Sequence, residues 1–146
     1  MIELNCNSSQ GMSSNLWGPP LWHYLHTISF NYPVSPTTQH KKDYYNLMVN
    51  IGKTLPCKFC RDNFMKNFEQ VPLNNYSLKN RNTFSRWMYR FHSHINKMLG
   101  KPTNIKYEEV KIKFNNLRAT SCRKISKKKG ICKTSKYRKC EILIKE

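Results

Sequence analysis

Apolar residues recur at helical spacing through much of the chain. The pattern is clearest where Phe84, Trp87, Met88, Phe91, Ile95, Met98 and Leu99 fall at i, i+3, i+4, i+7 positions. This predicts a long amphipathic helix, stopped by Gly100 and then Pro102. Further upstream, Gly18-Pro19-Pro20 reads as a helix start, because proline is tolerated in a first turn. A helix from about Pro20 to Asn31 places Trp22, Leu25, Ser29 and Tyr32 on one side and brings Trp22 and His26 together one turn apart. The prolines at 33 and 36 break it. A second helix is predicted over Thr37–Lys53, with Tyr44, Leu47, Met48 and Ile51 in phase, and Leu55-Pro56 ends it. A short third helix begins at Cys57, carries Phe59, Phe64 and Phe68, and closes at Val71-Pro72. Asn74 to Asn82 is expected to be a polar connection, and Tyr107–Leu117 a fifth helix turning Val110, Phe114 and Leu117 inward. No segment sustains two-residue alternation, so the predicted fold class is all-α, a helical bundle without a sheet.

At 146 residues the chain fits one domain with extensions, and its 12% aromatic content can supply a ring-rich core. Charge changes the picture at one end. Lys and Arg number 26 against 8 Asp and Glu, and the segment from Arg118 to Glu146 alone carries a net +9, half of the total +18. The expected division is a flexible N-terminus over 1–15, a folded domain over 16–122 and a basic, flexible tail over 123–146. Such a tail suits a nucleic-acid or acidic partner; it also suits a purely solvated extension. A basic, non-enzymatic binding module is therefore one functional reading of the chain. No run approaches the eighteen or so apolar residues of a membrane span, and Met1 to Asn15 lacks the basic-then-apolar pattern of a secretion signal. The expectation is a cytoplasmic protein with no membrane span.

The six cysteines, Cys6, Cys57, Cys60, Cys122, Cys132 and Cys140, suggest redox or metal chemistry in such a compartment rather than structural cross-links. Pro56-Cys57-Lys58-Phe59-Cys60 sets a Cys-x-x-Cys pair at a helix start, where free backbone N–H groups and the helix dipole favour a thiolate. Lys58 and Arg61 act in the same direction, so a thiol pKa below the free value of about 8.5 is expected. Zinc would need further ligands, and the spacings of Cys122, Cys132 and Cys140 match no common zinc pattern. A thioredoxin-like fold would need alternating strands and helices. Two buried, inert cysteines are the bland alternative. A second constellation runs from Trp87 through His92, Asn96 and Leu99 to Gly100-Lys101, with His92 and Asn96 one turn apart beside the apolar stripe. By itself such a pair also suits an internal helix-contact network.

Taken in order, three motifs resemble the Erv/ALR family of FAD-linked sulfhydryl oxidases, and most closely its short versions in large DNA viruses. They are Trp17-Gly18-Pro19-Pro20-Leu21-Trp22-His23-Tyr24-Leu25-His26, then Leu55-Pro56-Cys57-Lys58-Phe59-Cys60, then Trp87 through Lys101. The resemblance covers about Trp17 to Pro102. It implies four helices around FAD plus a short fifth, a homodimer, and oxidation of protein dithiols with electrons passed to O2 to give H2O2. It carries Cys60 to the flavin ring and makes Cys57 the sulfur that exchanges with substrate. Trp22 and His26 would line the flavin, His92 and Asn96 the adenine–ribose end, and Lys101 the phosphates; Gly18, Ile95 and Leu99 belong to the same cofactor site, with Phe114 a further candidate. Cys132 and Cys140, or Cys6, are candidates for an electron shuttle. Substrates would be protein dithiols or a thioredoxin-like relay protein, in the host cytoplasm or virion if the chain is viral. The pattern departs from the family at Ser93, where it has Asn, at Ile95, where it has Val, and at Tyr89, where cellular members have Cys. No cysteine follows Pro102 closely, so Cys122 lacks its partner for the family's C-terminal structural disulfide.

Overall fold

The computed structural model describes residues 11–118. Those residues form five helices in the order α1 (Ser14–Asn31), α2 (Thr38–Thr54), α3 (Lys58–Gln70), α4 (Arg81–Met98) and α5 (Tyr107–Asn115). No strand longer than a single bridge occurs among them. Cys6, Cys122, Cys132, Cys140 and the basic tail lie outside the described residues.

Local signals set most boundaries. The Thr37 hydroxyl accepts the His40 N–H while His40 Nδ1 accepts the Thr37 N–H, a reciprocal cap that opens α2. Asn80 and Thr83 do the same for α4. At its other end α4 closes in a Schellman turn. Gly100 adopts φ 66°, its N–H bonds to Lys97 O, and the Lys101 N–H bonds to Asn96 O at 2.8 Å. One start departs from expectation. Helix α1 begins at Ser14, ahead of the proline pair, so Pro19 and Pro20 lie inside it. The carbonyls those rings leave unpaired, on Asn15 and Leu16, belong to exposed residues and are open to water, which keeps the penalty small.

The core lies where α1 packs along α4 and α2 along α3. Trp87, Phe84, Phe91 and Met88 of α4 are fully buried against Leu25 of the first helix, Tyr32 at its C-cap and Met48 of the second. Their rings stack along the helix: Phe84 on Trp87 at 5.9 Å and Trp87 on Phe91 at 5.1 Å. Gly52 lets α2 approach Phe64, since a Cβ there would fall 2.1 Å from the Phe64 ring. The 71–80 connection is less polar in practice than its sequence suggests. Leu73 and Leu78 are buried in it, and the indole N–H of Trp87 reaches the Val71 and Pro72 carbonyls, both at 3.1 Å. Phe59 is 57% exposed and stands on the wall of a cavity, whereas Phe64 and Phe68 of the same helix are buried.

Helix α5 docks through a separate aromatic cluster. Phe30 stacks on Phe114 at 5.5 Å, and Tyr107 packs on Phe30 while its hydroxyl bonds Ser85 Oγ at 2.9 Å. Tyr89, standing where the resemblance expects a cysteine, donates its hydroxyl to Ile105 O at 2.9 Å and packs edge-on against Tyr107. The Arg118 guanidinium then reaches back to the Phe30 carbonyl at the end of α1. Within the described residues the fifth helix is therefore held by rings and hydrogen bonds.

Candidate functional site

Where α1, α3, α4 and α5 diverge they enclose a cavity of about 790 Å³, within the range usual for small-molecule and cofactor sites. Each of the ten residues singled out above, Cys57, Cys60, Gly18, Trp22, His26, His92, Ile95, Asn96, Leu99 and Lys101, lies on its wall. Three separate stretches of sequence thus converge on one space.

At one end stand the cysteines. Cys57 is the N-cap of α3 in extended conformation, and its sulfur accepts the backbone N–H of Cys60 at 3.2 Å. Lys58 turns outward to Asp62 at 2.6 Å, while Arg61 donates to the Leu55 carbonyl at 2.5 Å and anchors the turn before the pair. The two sulfurs are free thiols here, each half-buried. The expected acidity does not extend to Cys60. Burial, and the hydrogen bond and charge of the neighbouring Cys57 sulfur, push the Cys60 thiol up to about 11, outweighing the backbone N–H and Arg61.

At the other end stands an aromatic and imidazole wall. Trp22 and His92 lie face to face, centroids 3.9 Å apart and planes within 5°. His26 Nε2 and His92 Nδ1 share a hydrogen bond at 3.0 Å, and His26 also stacks on Phe114 at 5.2 Å. Burial lowers His26 to about 3, with help from His92, Lys113 and His23. Burial lowers His92 to about 4, with help from Lys101. Both rings are therefore neutral at physiological pH, one donating to the other. Among the described residues His26 Nδ1 is the one buried side-chain polar atom without a partner. Gly18 has no packing reason to be glycine, as a Cβ there would meet no protein atom within 4 Å.

The structure adds residues that sequence reasoning missed. Lys113, one position from Phe114, lies close enough to His26 to depress its basicity. Asn67 is buried between α3 and α4, its carbonyl oxygen 3.0 Å from His94 Nε2 and its amide donating to Asn63 O. Neither forms a motif, and only the crossing of helices brings them to the cavity. The helical stripe of α4 also ends differently from its sequence pattern: Met98 and Leu99 are about half exposed and form cavity wall rather than core.

Comparison with known proteins points the same way. The Erv1 / Alr family profile matches residues 19–115. The FAD-linked sulfhydryl oxidase ERV1 of Arabidopsis thaliana is 36% identical over 100 residues, covering 68% of this chain and 51% of its own. A probable FAD-linked sulfhydryl oxidase of Acanthamoeba polyphaga mimivirus is 31% identical over 90 residues, covering 62% of this chain and 63% of its own. The chain thus spans about half the length of the plant relative and less than two thirds of the viral one. Among solved structures, the FAD binding domain of Erv1 from Saccharomyces cerevisiae superposes with a TM-score of 0.64 at 26% identity, covering 72% of this chain and 96% of that domain.

Proposed function

The chain belongs to the Erv1/Alr family, and from that premise we propose that it is an FAD-linked sulfhydryl oxidase that makes disulfides in protein thiols. One observation carries the reading: the Cys57–Cys60 couple and the Trp22–His92 wall open on the same cavity. The residues present fit FAD. Flat faces of Trp22, His92 and Phe114 suit stacking against fused rings, with Gly18, Ile95 and Leu99 completing the apolar wall. Asn96, whose side-chain amide makes no hydrogen bond to the described residues, and the orphaned His26 nitrogen supply polar contacts. Lys101, turned back by the Schellman closure of α4, and Lys113 supply positive charge for phosphates.

When bound, FAD supplies a two-electron acceptor that passes electrons on to O2, giving H2O2. The protein's own part is thiol exchange and placement. A substrate thiolate attacks Cys57 of the oxidised pair; the Cys57–Cys60 bond breaks, a substrate–Cys57 disulfide forms, and Cys60 leaves as a thiolate. The raised basicity of Cys60 means that the leaving sulfur takes a proton. A second substrate thiolate then attacks the first substrate sulfur, releasing Cys57 and a substrate disulfide and leaving two electrons on the reduced pair. Re-oxidation of the pair releases these two electrons and the two thiol protons, and Cys60, on the cavity wall, is placed so that it would face the bound cofactor.

The test is direct. Purified protein should be yellow with flavin absorbance, and should consume oxygen when given dithiothreitol. Cys57→Ser and Cys60→Ser should keep the colour and lose at least about a hundredfold in turnover, since neither can re-form the pair. Colourless protein after refolding with FAD, or serine variants of undiminished rate, would remove the reading. Homodimerisation, a thioredoxin-like relay protein as partner, shuttling through Cys132 and Cys140, and a site of action in host cytoplasm or virion extend the proposal. The concentration of charge beyond Arg118 supports a further contact with an acidic partner or nucleic acid, whose affinity would fall steeply with salt.

A further inference from the structure

Only one extended pairing occurs among the described residues, and it lies on the redox motif. Gly11 faces Cys57 in an antiparallel bridge, and the Met12 N–H donates to Pro56 O at 2.8 Å. The segment that makes this contact is lightly held. Gly11 and Met12 are exposed, Met12 at 65%, and among the described residues the other tie is the Trp17 indole N–H to Met12 O at 3.2 Å. Neither Gly11 nor Met12 buries its side chain. The backbone before Cys57 is thus a short strand edge with an outward carbonyl acceptor, and this chain's own leading segment occupies it.

The register has a chemical consequence. The hydrogen bond runs between Met12 and Pro56, so Gly11 and Cys57 face each other at the narrow, non-hydrogen-bonded position of the ladder. Side chains at such a pair sit side by side, with Cβ atoms about 4.5–5.5 Å apart, near the spacing a disulfide needs. In the segment that now pairs there, the facing residue is glycine at φ 83°, whose Cβ, were there one, would fall 2.0 Å from Pro56 O. That conformation admits no L-cysteine. An incoming strand with ordinary extended φ does admit one.

The geometry points to the Pro56–Cys57 edge as the docking site for an extended, cysteine-containing polypeptide, with Gly11–Met12 as a displaceable occupant of the same edge. This rests on the sulfhydryl-oxidase reading and deepens it by naming the substrate class. The substrate cysteine takes the place of Gly11 opposite Cys57, poised for the mixed disulfide. The N–H of the residue after it takes the place of the Met12 N–H on Pro56 O. Main-chain pairing of this kind is indifferent to most side chains but excludes proline after the cysteine.

The experiment uses the full-length, flavin-loaded protein and three reducing substrates: dithiothreitol, an unstructured peptide with two cysteines, and the same peptide N-methylated at the residue following each cysteine. N-methylation should lower kcat/KM roughly three- to tenfold, the contribution of one backbone hydrogen bond. Gly11→Val, which cannot hold the bridge, should raise kcat/KM for the parent peptide several-fold and leave dithiothreitol turnover unchanged. Equal rates for the parent and methylated peptides would overturn the docking edge. Peptide turnover unchanged or lowered in Gly11→Val would overturn the competing role of the leading segment. Failure to oxidise even dithiothreitol would instead remove the underlying oxidase reading.

Discussion

From Phe84 to Phe91 and from His92 to Leu99, helix α4 carries one continuous apolar stripe, yet the two halves serve different ends. In the first half Phe84, Trp87, Met88 and Phe91 have no exposed surface, and the three rings stack along the helix. In the second half Met98 and Leu99 stand 44% and 46% exposed, and His92 and Asn96 line the same open space. What differs is the opposing surface. The first half meets α1, the 71–80 connection and the aromatic rings of α3; the second meets a gap where the helices splay. Periodicity reports which side of a helix is apolar, and is silent on whether protein or ligand covers it.

Truncating one residue in each half separates the two roles. Trp87→Ala removes a fully buried ring and its two hydrogen bonds, and should destabilise the fold by about 3–5 kcal/mol in urea unfolding. Leu99→Ala should change the flavin-free protein by no more than about 0.5 kcal/mol while weakening flavin retention on gel filtration. Equal losses of stability would mean that both halves are core.

Protonation distinguishes the halves next. His26 and His92 are held near 3 and 4 in the fold, below the ordinary 6.5. As pH falls from about 6.5, the unfolded chain takes up protons that the folded chain refuses. Stability contributed by the neutral pair is thus complete above 6.5 and is lost as pH drops toward 4 and 3, on the order of a few kcal/mol. Thermal melts between neutral pH and about 4 should show the decline, and His26→Leu should flatten it. A slope unaltered by that substitution would place the effect elsewhere.

The packing of α2 on α3 can be tested in the same way. In Gly52→Ala the new methyl meets Phe64 ring carbons at 2.1 to 2.7 Å. Overpacking of this kind destabilises by about 1–3 kcal/mol and should press α2 away from α3. A neutral result in urea unfolding would show that Phe64 can swing aside.

Much of the framework was legible from residue order. Proline breaks, the Cys57 helix start, the Gly100 stop and the α4 stripe all became element boundaries or faces as expected. The start of α1 was not, since a proline marks a tolerated helix start but does not prevent an exposed turn from preceding it. Tyr89, read as a missing cysteine, became a tether for α5 through a hydroxyl whose partner, Ile105 O, lies in the following loop.

What the amino-acid order determined by itself was local: helix limits, the cysteine couple at a helix N-terminus, and the residue types able to line a flavin site. Those follow from backbone geometry and caps, which act over a few residues. Only the tertiary structure decided that His26 and His92 share a proton-poor contact, that burial raises the Cys60 thiol, and that Gly11 lies opposite Cys57. Each of these depends on burial or on a neighbour brought in from a distant part of the chain, and desolvation has no signature along a sequence.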